Sequence, residues 1–120
     1  MSLTAILNAT LDRLDEARFA GVVGTDGLGI EMVFADEGSA YDLELAEIEL
    51  ATLAAAASAA AARIGAGLVH TITVESEALS MLAALVAPGY FAVLGLPGGD
   101  DLSAARAALQ AMVERMRAEL

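Results

Sequence analysis

One segment limits what this chain can fold into more than any other. Residues Leu43 to Ile64, LELAEIELATLAAAASAAAARI, are helix-forming throughout and carry apolar residues on two opposite sides. Glu44, Glu47 and Glu49 stand near the positive end of the helix dipole and Arg63 near the negative end, and Gly65 and Gly67 stop the helix. Leu43, Ala46, Leu50, Leu53, Ala57, Ala60 and Ile64 form one stripe. Leu45, Ile48, Thr52, Ala55, Ala59 and Ala62 form the other. One stripe can cover a sheet within the chain, which leaves the other facing water, where an apolar surface needs a partner. Alanine is also the best helix former, since it loses no side-chain entropy, and that alone accounts for Ala54 to Ala62. It does not account for Leu45 and Ile48. The spacing therefore predicts a helix-to-helix contact with a second copy, in which small side chains let the backbones approach.

A content of 58% hydrophobic residues and a mean hydropathy of +0.64 would suggest a membrane protein, but alanine, a weak hydrophobe, supplies much of both. The uncharged run Leu50 to Ala62 is well short of the roughly 20 residues that span a bilayer, so no membrane insertion is expected. The first positive residue is Arg13, unlike the basic start of a signal peptide, and the expected location is cytoplasmic, with residues 1–120 forming one domain. The absence of cysteine excludes disulfides, thiolate metal sites and thiol nucleophiles. Seventeen acids against six bases give a net charge of −11, which repels nucleic acid and anionic lipid. All six bases are arginine, so the lysine-dependent phosphate loop, kinase lysine and Schiff base are excluded as well.

Around the long helix the pattern alternates. Leu3, Ile6, Leu7, Leu11, Leu14 and Ala17 recur at helical spacing. Phe19 to Thr25 and Leu28 to Phe34 are strand-like runs separated by Asp26-Gly27, a hairpin turn pair. The glycines of VVGTDGLGIEMVF (22–34) lead into a strand rather than a helix, which argues against a phosphate cradle, and one aspartate cannot make a calcium loop. Ala35 to Asp42 is an acidic connection. Gly67 to Glu75 and Tyr90 to Leu96 are strands by their β-branched and apolar content, whereas Ala78 to Val86, ALSMLAALV, favours helix on local propensity. Pro97-Gly98-Gly99 makes a turn. Asp100 or Asp101 then caps a last helix with Leu102, Ala105, Leu109, Met112, Val113, Met116 and Leu120 on one face.

No catalytic constellation emerges. His70 is the only histidine, and no serine stands in a nucleophile elbow, so a triad cannot be assembled; alternating with Val69 and Thr71, His70 reads as a packed or interface residue. Glu75 with Glu77, and Asp100 with Asp101, could serve acid-base chemistry or magnesium in principle, yet they flank a strand end and a helix start, where carboxylates satisfy free amides. Tyr90 and Phe91 are adjacent strand residues and would send one ring to each face of a sheet, as core or, secondarily, as ligand contacts. No cofactor and no metal are expected.

The order of these elements resembles the Roadblock family of dynein light chains and their bacterial relatives, including the MglB-like regulators. The likeness rests on VVGTDGLGIEMV (22–33), the alanine-rich helix ending in ARIGAG (62–67), LVHTITVESE (68–77) and GYFAVLGLPGGDDLSAARAAL (89–109). It implies an α+β sandwich in the order α-β-β-α-β-β-β-α, with Ala78 to Val86 as a strand. The five-stranded antiparallel sheet would carry helix two on one face and helices one and three on the other. It further implies a homodimer joined along the third strand and the second helices, placing Val69, Thr71 and Thr73 beside Ala55, Ala59 and Ala62, with Leu45, Ile48 and Thr52 in the same interface. The implied function is that of a non-enzymatic regulator or adaptor of a small Ras-like GTPase; the expected partner surface is the exposed side of helix two, with Glu44, Glu47, Glu49 and Ser58, where acidic charge would steer a basic patch. Arg63 and Arg106 lie within helices and are not assigned as arginine fingers. The sequence departs from the family pattern at Ser103, where glycine is typical, and in the alanine content of helix two. The alternatives are a small-molecule sensing module, with a ligand against Tyr90 or Phe91, and a self-assembling scaffold with no GTPase partner.

Overall fold

A computed structural model describes residues 2–26, 29–35, 42–99 and 101–119. In chain order the elements are α1 (Leu3–Arg13), β1 (Phe19–Gly24), β2 (Gly29–Phe34), α2 (Leu43–Arg63), β3 (Thr71–Glu75), β4 (Leu79–Ala87), β5 (Tyr90–Pro97) and α3 (Ser103–Glu119). The strands form one antiparallel sheet in the order β2-β1-β5-β4-β3. The side-chain patterns explain that order. β1 (FAGVVG) is buried throughout and β5 (YFAVLGLP) nearly so, as strands covered on both faces must be, whereas β3 (TITVE) alternates exposed and half-buried residues and takes an edge.

β4 departs from local propensity. Its residues favour helix by type, yet pairing with β3 and β5 places Leu82, Ala84 and Val86 in one core while Ala83, with Met81 and Leu85 packed against it, faces the other. A helix there would leave β3 and β5 without their common neighbour. Ladder hydrogen bonds and burial on both faces outweigh a few tenths of a kcal/mol of intrinsic preference per residue, of the order of the helix-propensity scale.

Two cores result. On one side α1 and α3 cover Ala20, Val22, Leu82, Ala84, Ala92 and Leu94; on the other, Leu50, Ala51 and Ala54 of α2 join Phe19, Val23, Phe91 and Val93. Boundaries differ from the sequence reading by a few residues. α1 stops at Arg13 and Ala17 lies beyond it, while β3 begins at Thr71 although Gly67 opens the strand-like run. The β1–β2 ladder forms as expected, but Gly27 of the predicted turn, most of the acidic connection (36–41), the alternative cap Asp100 and the terminal Leu120 lie outside the described residues.

Two of the three hairpins contain a bulge, and the β3–β4 ladder is regular. In β2, Gly29 pairs with Val23 and Glu31 with Val22, so Ile30 is the extra residue; in β4, Leu85 pairs with Phe91 and Ala87 with Tyr90, so Val86 is extra. α3 secures the second bulge, since Arg117 donates from Nε to the Val86 carbonyl and from an Nη to the Leu85 carbonyl, both at 2.9 Å. Arg117→Ala is expected to cost about 1–2 kcal/mol in a urea titration, the usual scale for charge-assisted bonds. Arg117→Lys, which cannot span two carbonyls with a planar fork, should recover only part of that.

At the start of α3, the Asp101 carboxylate accepts from the Ser103 amide (3.0 Å) and hydroxyl (2.8 Å). These bonds, the Ser103 amide first, hold its pKa below the ordinary carboxylate value, with a smaller contribution from Arg106. A depressed folded-state pKa gives stability that is present above the unfolded value and disappears as pH falls through the folded one. Asp101→Ala should therefore destabilise the protein at neutral pH and lose its effect progressively below about pH 4, readable as converging melting temperatures.

Candidate functional site

The helix that constrained the sequence reading is also the least covered of the three helices. Asp42 caps it, its carboxylate accepting from the Leu45 amide at 3.0 Å, with Glu44 in the first turn. At the other end the Gly65 amide donates to Ala62 and the Ala66 amide to Ala61 (3.2 and 2.8 Å), with Gly65 at φ +74°, a left-handed cap that glycine adopts without strain. Among the described side chains of α2, only Leu50, Ala51 and Ala54 are buried.

The two predicted stripes can now be placed. The inward line centres on Leu50, Ala51 and Ala54; Ala46, Leu53 and Ala57 are half-buried, Ala60 is exposed, Ile64 is 81% exposed, and the Leu43 side chain lies outside the described residues. In the second stripe Leu45 and Ile48 are 50% and 56% exposed, Thr52 and Ala62 are exposed, and Ala55 and Ala59 are half-buried. Leu68, beyond the helix, is exposed as well. Sequence reasoning assigned Ile64 to the buried stripe and passed over Leu68. The Gly65-Ala66-Gly67 break was the available signal, because a helix that ends there cannot keep its last residues over the sheet.

Beneath the helix the sheet is unevenly covered. α2 packs against β1 and β2. Over β3 and β4, Ile72, Leu79, Met81 and Leu85 remain half-exposed. A cavity of about 450 Å³ opens between the end of α2 (Ser58, Ala62), Leu68, Val69, Leu85 and Phe91. β3 is one of the sheet's two edge strands, β2 being the other, so it pairs through one side only. An exposed apolar helix flank, an open half-sheet and an unpaired strand edge adjoin.

The nine predicted interface residues divide between two faces. Val69 packs toward the α2-side core, but Thr71 and Thr73 pair with Ala84 and Leu82 and share their face, on the α1–α3 side. They therefore meet Ala55, Ala59 and Ala62 only through the strand edge, not as one continuous face. The four predicted partner-surface residues also separate. Glu47 folds over Gly29 of β2, where a Cβ would strike its carboxyl group, and Ser58 lines the cavity. Glu44 and Glu49 are exposed, but five residues at about 100° each put them on different flanks.

His70 is exposed just before β3, and its carbonyl accepts from the Leu85 amide at 2.8 Å. Glu75 and Glu77 are exposed around the β3–β4 turn, and Asp101 serves as the cap. Phe91 is buried on the α2 side, while Tyr90 is 45% exposed. Among the described residues no group of three or more histidine, aspartate and glutamate side chains could hold a metal ion. One helix, Glu44–Arg63, is long and apolar enough to cross a membrane by length and composition. Here it lies on the sheet with Leu50, Ala51 and Ala54 in the core.

No family model matches the sequence, and no curated protein does. Solved structures do. MglC from Myxococcus xanthus superposes with a TM-score of 0.73 at 29% identity, covering 100% of both chains. A Roadblock/LC7 domain from Streptomyces avermitilis gives 0.76 at 17% identity over 99% of this chain and 98% of the other. An MglB in a tetrameric arrangement gives 0.80 at 18% identity over 96% and 85%. The fold is Roadblock-like, of the MglB type, as the resemblance implied.

Proposed function

From a Roadblock-like fold whose second helix lies uncovered, we propose that this protein is a homodimeric, non-enzymatic regulator or adaptor that docks a small Ras-like GTPase on its dimer surface. The observation that carries the reading is the uncovered flank of α2, with Leu45 and Ile48 half-exposed beside an open β3 edge and an open half-sheet. Joining two β3 edges would pair main-chain groups that are otherwise an aggregation hazard, and laying two α2 helices together would bury both exposed flanks. The likeness to MglB and MglC supports a regulatory or adaptor role, and the tetrameric MglB supports association between copies. A membrane-spanning α2 is the poorer account of the same apolar surface. Insertion would draw Leu50, Ala51 and Ala54 out of the core and take Glu47 and Glu49 into hydrocarbon.

The dimer supplies the partner surface. Action on a GTPase would come from positioning the partner's own switch loops. The test combines light scattering over a dilution series with titration of a purified small Ras-like GTPase from the same organism, loaded with GDP or a non-hydrolysable GTP analogue. A dimer that prefers one nucleotide state is the expected result. A monomer at high concentration overturns the homodimer. A dimer that binds neither form, or larger assemblies that bind neither, would instead favour a scaffold. Glu44→Arg and Glu49→Arg, tested separately, should show which flank of α2 meets the partner, because only the flank in contact changes association rate.

A further inference from the structure

Among the described residues the exposed large apolar side chains fall into two groups. Leu45, Ile48, Ile64 and Leu68 belong to α2 and the segment after it; Ile30 and Tyr90, 47% and 45% exposed, do not. Ile30 and Tyr90 stand at the mouth of a cavity of about 280 Å³, walled by Leu3 of α1, Val22 of β1, Val86 of β4 and Met116 of α3. Val22, Val86 and Met116 are almost wholly buried, so the cavity has a fixed apolar floor.

The backbone is built around this space. The bulged residues of the β1–β2 and β4–β5 hairpins, Ile30 and Val86, both line it. A bulge can re-aim a side chain, as at Ile30, which alternation would otherwise place on the α2-side face with Met32 and Phe34, and bulges gather near functional sites; Val86 keeps the face of Leu82 and Ala84. The Val86 bulge is additionally held by Arg117 from α3. Two independent interruptions of the ladder thus converge on one pocket, and α2 and the β3 edge take no part in it.

We propose that this pocket binds a small, uncharged, apolar molecule with an aromatic ring or short acyl chain, its one polar group placed at the Tyr90 hydroxyl. Its volume of about 280 Å³ lies just under the usual range of about 300–1,000 Å³ for small-molecule sites, which limits the ligand to one ring or a short chain. Two exposed apolar side chains are far too little for a protein interface, which takes about 800 Å² from each partner. A net charge of −11 disfavours anionic ligands.

The neutral fluorescent probe N-phenyl-1-naphthylamine tests the site on the full chain. Saturable binding of one probe per chain is expected, with affinity falling at least ten-fold in Ile30→Glu and in Tyr90→Ser. Ile48→Glu on α2 should leave it within two-fold. In the unmodified protein, methyl resonances of Ile30, Val86 and Met116 should shift on titration, a readout independent of whether any variant folds. Absent or non-saturable binding overturns the proposal. So do shifts confined to Leu45, Ile48 and Leu68, which would place the probe on the α2 surface.

Discussion

Replacing Ile48 with glutamate is expected to weaken self-association about 100-fold or more without unfolding the chain. Ile48 is 56% exposed on the isolated chain, so a second copy has about half of its surface left to bury. That half is worth about 1–1.5 kcal/mol per copy, and two-fold symmetry counts it twice, giving about 2–3 kcal/mol. A carboxylate in its place adds desolvation and repulsion within a helix that already carries Glu44, Glu47 and Glu49. Since each 1.4 kcal/mol is ten-fold in affinity, the sum reaches two decades. Light scattering or sedimentation equilibrium over a dilution series reads it, while circular dichroism should show an unchanged fold because Ile48 lies outside the buried core. Association as tight as that of the unmodified protein would remove α2 from the contact, and the GTPase platform built on it would have to be sought elsewhere.

The second large effect concerns the core. Gly95 of β5 pairs with Phe19 of β1, and a Cβ at Gly95 would penetrate the Phe19 ring. The ring has no room to retreat. It is 1% exposed and meets Phe34 edge-to-face at 6.3 Å between centroids. Gly95→Ala is therefore expected to destabilise by about 2–3 kcal/mol, the upper range for overpacking, and Gly95→Val by more. Chemical denaturation checks the magnitude. Phe19→Leu combined with Gly95→Ala should be less damaging than the sum of the two single changes, because the first removes the ring that the second strikes. Strict additivity would show that the clash is relieved by backbone movement instead.

These two sites mark different degrees of legibility. The α2 surface was readable as a pattern, since a helix with Leu45 and Ile48 opposite Leu50 cannot hide both sides against one sheet. Gly95 was not, because its partner is 76 positions away in the chain and only the β1–β5 register brings the Phe19 ring over it. The same holds for Glu47. By sequence it is one of three helix-start acids, and only the approach of α2 to Gly29 folds it inward. Thr71 and Thr73 were placed beside the α2 alanines because the family resemblance implies a dimer joined along the third strand and the second helices, and the period of two in β3 sends those threonines to the other side of the sheet.

What the sequence determined by itself was local and periodic: the existence of three helices, though not where the first one ends, the hairpin strands around Asp26, and a charge and residue inventory without cysteine or lysine. Their order also carried the Roadblock likeness, through which Ala78 to Val86 was placed as strand against its own propensity. Tertiary structure alone decided the rest. It set β4 between β3 and β5, turned α2 so that Leu50, Ala51 and Ala54 face inward, divided the acids among different flanks, and brought the bulges at Ile30 and Val86 to one pocket. The physical reason is that propensity and periodicity act over one or two turns of chain. Register, bulges and helix rotation are chosen by contacts between residues tens of positions apart, whose energies appear only once the layers are packed.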